Sequence, residues 1–87
     1  MSDPFIPRWF CTLDGRSLYA LEAPDQLVEH QQIGSRHAVH TLEATTYPDR
    51  LRIADLVDGA AQGHVQELSA EEYERRRVDM ASTPRIE

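Results

Sequence analysis

Two runs of apolar and polar residues flank Asp14-Gly15: Arg8-Trp9-Phe10-Cys11-Thr12-Leu13 before it and Arg16-Ser17-Leu18-Tyr19-Ala20-Leu21 after it. An Asp-Gly pair between such runs predicts a β-hairpin closed by a two-residue type I′ turn. With Leu13 opposite Arg16, Cys11 faces Leu18 and Trp9 faces Ala20 on one side, while Thr12 faces Ser17 and Phe10 faces Tyr19 on the other. Aromatic rings therefore fall on both faces. Such a hairpin is either sandwiched inside the domain or presents its second face to another chain.

The pattern beyond the hairpin is less regular. Ala23-Pro24-Asp25 opens a polar segment that runs to Gly34, and proline suits a first helical turn, so a short helix is expected there. From His37 to Thr46, β-branched and small apolar residues predict a strand, with Ala38, His40, Leu42 and Ala44 on one side and Val39, Thr41, Glu43 and Thr45 on the other. Tyr47-Pro48-Asp49-Arg50 has the order of a type I turn, and Leu51 to Val57 reads as the next strand, ended by Asp58-Gly59. After a loop from Ala60 to Gly63, the run His64 to Leu68 predicts one more short strand.

The best-specified element is the last. Ser69 followed three residues later by Glu72 is a capping box, with Leu68 and Tyr73 at the spacing of a hydrophobic staple, so a helix begins at Ala70. Glu71 and Glu72 lie at its positive end and Arg75, Arg76 and Arg77 toward its negative end, with Glu71/Arg75 and Glu72/Arg76 as i,i+4 pairs. Its apolar stripe is narrow: Ala70, Tyr73 and Met80. The elements together predict one α+β, mostly β domain: four or five short antiparallel strands in a curled sheet or small open barrel, with a C-terminal helix on one edge. Residues 1–7, with Pro4 and Pro7, read as an extended arm, 8–81 as the core and 82–87 as a tail.

Charge and composition narrow the partners. At 87 residues a single domain buries only about 60 to 65% of the surface of its unfolded chain, a thin margin that favours assembly with a partner. Fifteen acidic against nine basic residues leave a net charge of −6, which disfavours direct contact with nucleic acid or an anionic membrane. The cations are all arginine, so neither a Schiff-base lysine nor a phosphate-loop lysine is present. The single Cys11 cannot close an intrachain disulfide, and no apolar run approaches bilayer length. A cytoplasmic setting is expected.

Candidate chemistry is sparse. His30, His37, His40 and His64 are the only side chains suited to neutral-pH proton transfer or soft metal ligation. On a strand, the separation of three puts His37 and His40 on opposite faces, which argues against chelation by that pair. His30 and His40 could still converge by folding, with Glu29 or Glu43 as an oxygen ligand. Cys11 reads as a buried thiol of raised pKa. Ser69 is a cap, and no nucleophile elbow or phosphate-binding loop is present. No enzyme signature and no cofactor motif emerges. Arg75-Arg76-Arg77 reads as a solvated helix face whose cations have glutamate partners.

The run Tyr19-Ala20-Leu21-Glu22-Ala23-Pro24-Asp25 resembles, through its Glu-Ala-Pro, the strand-to-helix junction of a family of small ferredoxin-like nickel-binding proteins. The resemblance covers those residues alone and transfers no ligands. It implies a ferredoxin-like sandwich as the second choice of fold and keeps metal binding as an alternative. The first expectation for function is a non-enzymatic protein-interaction or structural module, self-assembling or part of a larger complex, whose contact face is Trp9, Phe10 and Tyr19. The alternatives are a metal-binding protein using His30, His37 and His40, and an acidic inhibitor that occupies the groove of a basic, nucleic-acid-binding partner.

Overall fold

A computed structural model of the protein describes residues 5–81; the outer part of the predicted arm and the whole predicted tail lie outside that range. The chain folds as an α+β domain with strands β1 (Arg8–Thr12), β2 (Ser17–Ala23), β3 (Gln26–Ile33) and β4 (Arg36–Glu43). Helix α1 (Tyr47–Ala61), strand β5 (Val65–Leu68) and helix α2 (Ala70–Ala81) follow. The sheet is open, antiparallel throughout, with strand order β4-β3-β2-β1-β5. The first four strands form a meander. Helix α1 then carries the chain from the β4 edge to the opposite edge, where β5 pairs with β1. A helix of 15 residues is roughly 22 Å long, comparable with the roughly 19 Å across four strand spacings.

The first hairpin has the expected register: Trp9 pairs with Ala20, Phe10 with Tyr19 and Cys11 with Leu18. Its turn differs from the expected one. Type I′ requires positive φ at both central residues, and among the described residues no non-glycine has one. Instead the Gly15 N–H donates to the Thr12 carbonyl at 2.9 Å, and Gly15 alone takes the left-handed conformation, at φ 74°. Asp14 Oδ1 accepts from the Thr12 hydroxyl at 2.7 Å and from the Arg16 N–H at 3.0 Å. These hydrogen bonds hold the Asp14 carboxyl below its ordinary range.

Two assignments exchange. The segment expected as a helix after Pro24 is β3, and the segment expected as a turn and strand from Tyr47 to Val57 is α1. Pro24-Asp25 forms a two-residue turn, so the junction that resembles a strand-to-helix connection is a hairpin, and the ferredoxin-like alternative falls with it. A register shift between Leu21 and Ala23 lets that turn join twisted strands. Gly34-Ser35 closes the next hairpin, with φ 61° at Gly34 only, the type II′ pattern. Flanked on both sides, Gln26–Ile33 gains two ladders of backbone hydrogen bonds, which outweighs its weak strand propensity.

In α1, Pro48 sits in the first turn, where its missing N–H costs nothing, and Asp49 lies at the positive end. Ile53, Leu56, Val57 and Ala60 recur at helical spacing and meet Phe10, Leu21 and Leu27 on one face of the sheet. The helix runs through Gly59 and ends in a Schellman motif. His64 N–H donates to the Gly59 carbonyl at 2.7 Å and Gly63 N–H to that of Ala60 at 3.2 Å, with Gly63 at φ 81°. Helix α2 covers the opposite face, with Met80 and Tyr73 against Cys11, Leu18, Leu68 and Trp9. Ser69 Oγ accepts from the Glu72 N–H at 3.2 Å, as a capping box requires. The Glu72 carboxylate itself bonds Arg75 and Arg76, and Glu74 pairs with Arg77 in two bonds, so Glu72 takes the role expected of Glu71 beside Arg75.

Candidate functional site

Of the expected contact face, Phe10 does not reach the surface. Phe10 has no exposed area and anchors the α1-side core, roofed by the Arg8 guanidinium 5.1 Å from its ring centre. Tyr19 is half-buried on that side, and burial next to Glu29 pushes its hydroxyl pKa up. Trp9, on the other side, is half-buried with its ring 6.0 Å from that of Tyr73. A helix packs on each face of the hairpin because α1 is a second helix, which encloses Phe10 and leaves Trp9 and Tyr19 half-buried. Phe10 is a core residue and is withdrawn from the contact set.

The histidines divide by face, as strand alternation requires. His30 and His37 lie on the α2 side and are buried, whereas His40 is exposed on the α1 side opposite Glu29. His30, His37 and His40 therefore do not assemble within one chain, and the convergence of His30 and His40 on which the alternative metal reading relied does not occur. No group of three or more histidine, cysteine or acidic side chains placed to hold a metal ion occurs among the described residues.

His30 and His37 instead form a contact not anticipated from the spacing. His30 Nδ1 and His37 Nε2 are 3.2 Å apart, and His30 Nε2 is 3.0 Å from the Tyr73 hydroxyl. The rings lie within 16° of parallel with centroids 5.4 Å apart, farther than their nitrogens, so they meet edge to edge. A chain of hydrogen bonds thus runs from α2 through β3 to β4. The two histidines are diagonal neighbours across a hairpin, since Gln32 pairs with His37 and His30 with Val39. Once Gly34-Ser35 is taken as a turn, that relation follows from the sequence.

Cys11 is a buried thiol 3.5 Å from Arg76 Nη1. Burial raises its pKa, partly offset by the arginine. It borders a cavity of about 230 Å³ lined also by Leu18, Gln32, Asp79 and Met80.

The open surface of the fold is the β4 edge. Eight residues, Arg36–Glu43, pair with β3 in unbroken register, and β4 packs chiefly against that one strand. The opposite edge, β5, has only four residues. Long edges are normally blunted by proline, lysine or a bulge. Strand β4 has none of these, and its midpoint exposes Val39, His40 and Thr41. Its charges are Arg36 at the start and Glu43 at the end. Comparison with known proteins finds no matching family, no matching curated protein and no matching solved structure. No helix among the described residues is long and apolar enough to cross a membrane.

Proposed function

We propose that this protein is a non-enzymatic assembly module that binds a second copy of itself by antiparallel pairing of β4, acting in the cytoplasm, where its lone thiol stays reduced. The supporting observation is the long, regular, unblunted β4 edge. Pairing two such edges satisfies the outward N–H and C=O groups of both and extends the five-stranded sheet across the two copies. Antiparallel alignment also sets the cationic end of one strand against the anionic end of the other. A chain with net charge −6 repels itself at long range, so a locally neutral edge is where it can meet its own copy.

Light scattering across a dilution series tests this reading. The two-residue turn makes Ile33/Arg36 a hydrogen-bonded pair, so by alternation Val39 directs its N–H away from β3. The substitution Val39→Pro removes that outward donor and leaves the β3 ladder intact. The expected result is a wild-type dimer and a folded, monomeric Val39→Pro. A wild type that stays monomeric at high micromolar concentration, or a Val39→Pro that associates equally well, overturns it.

A further inference from the structure

Resting on that pairing, we infer that the dimer holds a divalent transition-metal ion at its two-fold axis, ligated by His40 of each copy with Glu29 of each copy as the flanking carboxylate.

The register follows from the residues. The two-fold axis of an antiparallel pair stands perpendicular to the sheet, so each face of one copy continues the same face of the other. Residues of β4 must then pair odd with odd and even with even. Of the two central alignments, one is centred on Val39 and the other on His40. The first sets Leu42 against Arg36 of the second copy and Ala38 against its His40, apolar against charged or polar. The second sets Ala38 against Leu42 and Val39 against Thr41, and brings Glu43 beside His37 at the Arg36 end. It sets the apolar Ala38 and Leu42 together and the β-branched Val39 and Thr41 together, with no apolar residue of the centre set against a charge, and it is the alignment the chain favours.

In that alignment His40 meets its own copy. By the same alternation the main-chain N–H and C=O of His40 face Glu29 of β3, so toward the second copy it forms a non-hydrogen-bonded pair, the closer kind, with Cβ atoms about 4.5 to 5.5 Å apart. Two exposed imidazoles at that separation reach one ion lying over the sheet. Glu29 is the cross-strand neighbour of His40 and adjoins the Tyr19 hydroxyl on its other side. A single row therefore reads Tyr19, Glu29, His40 and then His40, Glu29, Tyr19 of the second copy. Two imidazoles and two carboxylates suit a borderline ion such as Zn²⁺. The site is half-formed in one chain, which is why no intrachain cluster gathers.

The test uses the full chain with Zn²⁺ as probe. Self-association is measured by light scattering in EDTA and in Zn²⁺, and stoichiometry by calorimetry, for wild type, His40→Ala, Val39→Pro and His64→Ala. Zn²⁺ is expected to tighten wild-type dimerisation by about tenfold or more, with one ion per two chains. His64→Ala, which removes an exposed histidine away from the edge, keeps that response. His40→Ala loses it while still dimerising in EDTA, and Val39→Pro stays monomeric in both. A wild-type dimer indifferent to Zn²⁺, or a Zn²⁺ response that survives His40→Ala, overturns the metal site and leaves β4 pairing standing. A wild type monomeric in both conditions overturns the pairing and the site together.

Discussion

Arg8 shows how one side chain serves two elements. Its Nε and Nη2 donate to the Glu67 carboxylate at 2.9 and 2.7 Å, joining β1 to β5, while its guanidinium covers the Phe10 ring. The hydrogen bonds from Arg8 hold the Glu67 carboxyl below its ordinary value of 4.5. A carboxyl whose folded pKa is depressed adds stability above its unfolded value, and that stability is lost as pH falls through the folded value. Glu67→Gln should therefore lower stability near neutrality and flatten the acid limb of a denaturation profile. Both side chains are more than a third exposed, so solvent screening limits the loss to ~0.5 kcal/mol. At this scale the hairpin residues were legible, because alternation alone pairs Trp9 with Ala20 and Phe10 with Tyr19. The fate of Phe10 was not, because its burial depends on Ile53 and the helical residues after it, more than forty positions away.

Among the elements, two segments carried ambiguous punctuation. Pro24 and Pro48 each suit a turn or a first helical turn, and the local sequence reads the same either way. The contest over Tyr47–Ala61 was settled by the recurrence of Ile53, Leu56, Val57 and Ala60, which gives a helix one continuous side to bury on the sheet. Read as a strand from Leu51 to Val57, the same residues leave Leu56 on the wrong face. For Gln26–Ile33 the deciding influence was the pair of neighbours that supply both ladders. The helix end yields a paired test. Gly63 is at φ 81° with open space where a Cβ would go, so Gly63→Ala should destabilise by roughly 1–2 kcal/mol through backbone strain alone. Gly59 lies inside the helix, where a Cβ would meet His64 Cβ at an ordinary 3.7 Å, so Gly59→Ala should stabilise by roughly 1 kcal/mol. Thermal or urea denaturation reads both, and their opposite signs separate the C-cap from the helix interior.

At the scale of the whole molecule, an elongated body of 43 × 25 × 24 Å has a helix on each face of its sheet and one long strand at the rim. Dimerisation through that rim brings two bodies of net charge −6 together, so added salt should tighten it by screening the repulsion. Light scattering at low and high ionic strength checks the sign. An acidic inhibitor of a basic partner behaves in the opposite way, since salt weakens an attraction between unlike charges, and the same measurement in the presence of such a partner distinguishes the two.

The sequence by itself determined the first hairpin and its register, the capped C-terminal helix, the fifth strand, the α+β class and the separation of His37 from His40. Each rests on neighbours in the chain: an Asp-Gly turn, a capping box, or the two-residue period of a strand. Only the tertiary structure decided that α1 covers the second face, that Gln26–Ile33 is a strand, and that the exposed edge of the sheet is β4. Those outcomes depend on contacts distant in sequence, where burial and ladder hydrogen bonds outweigh local propensities worth a few tenths of a kcal/mol per residue.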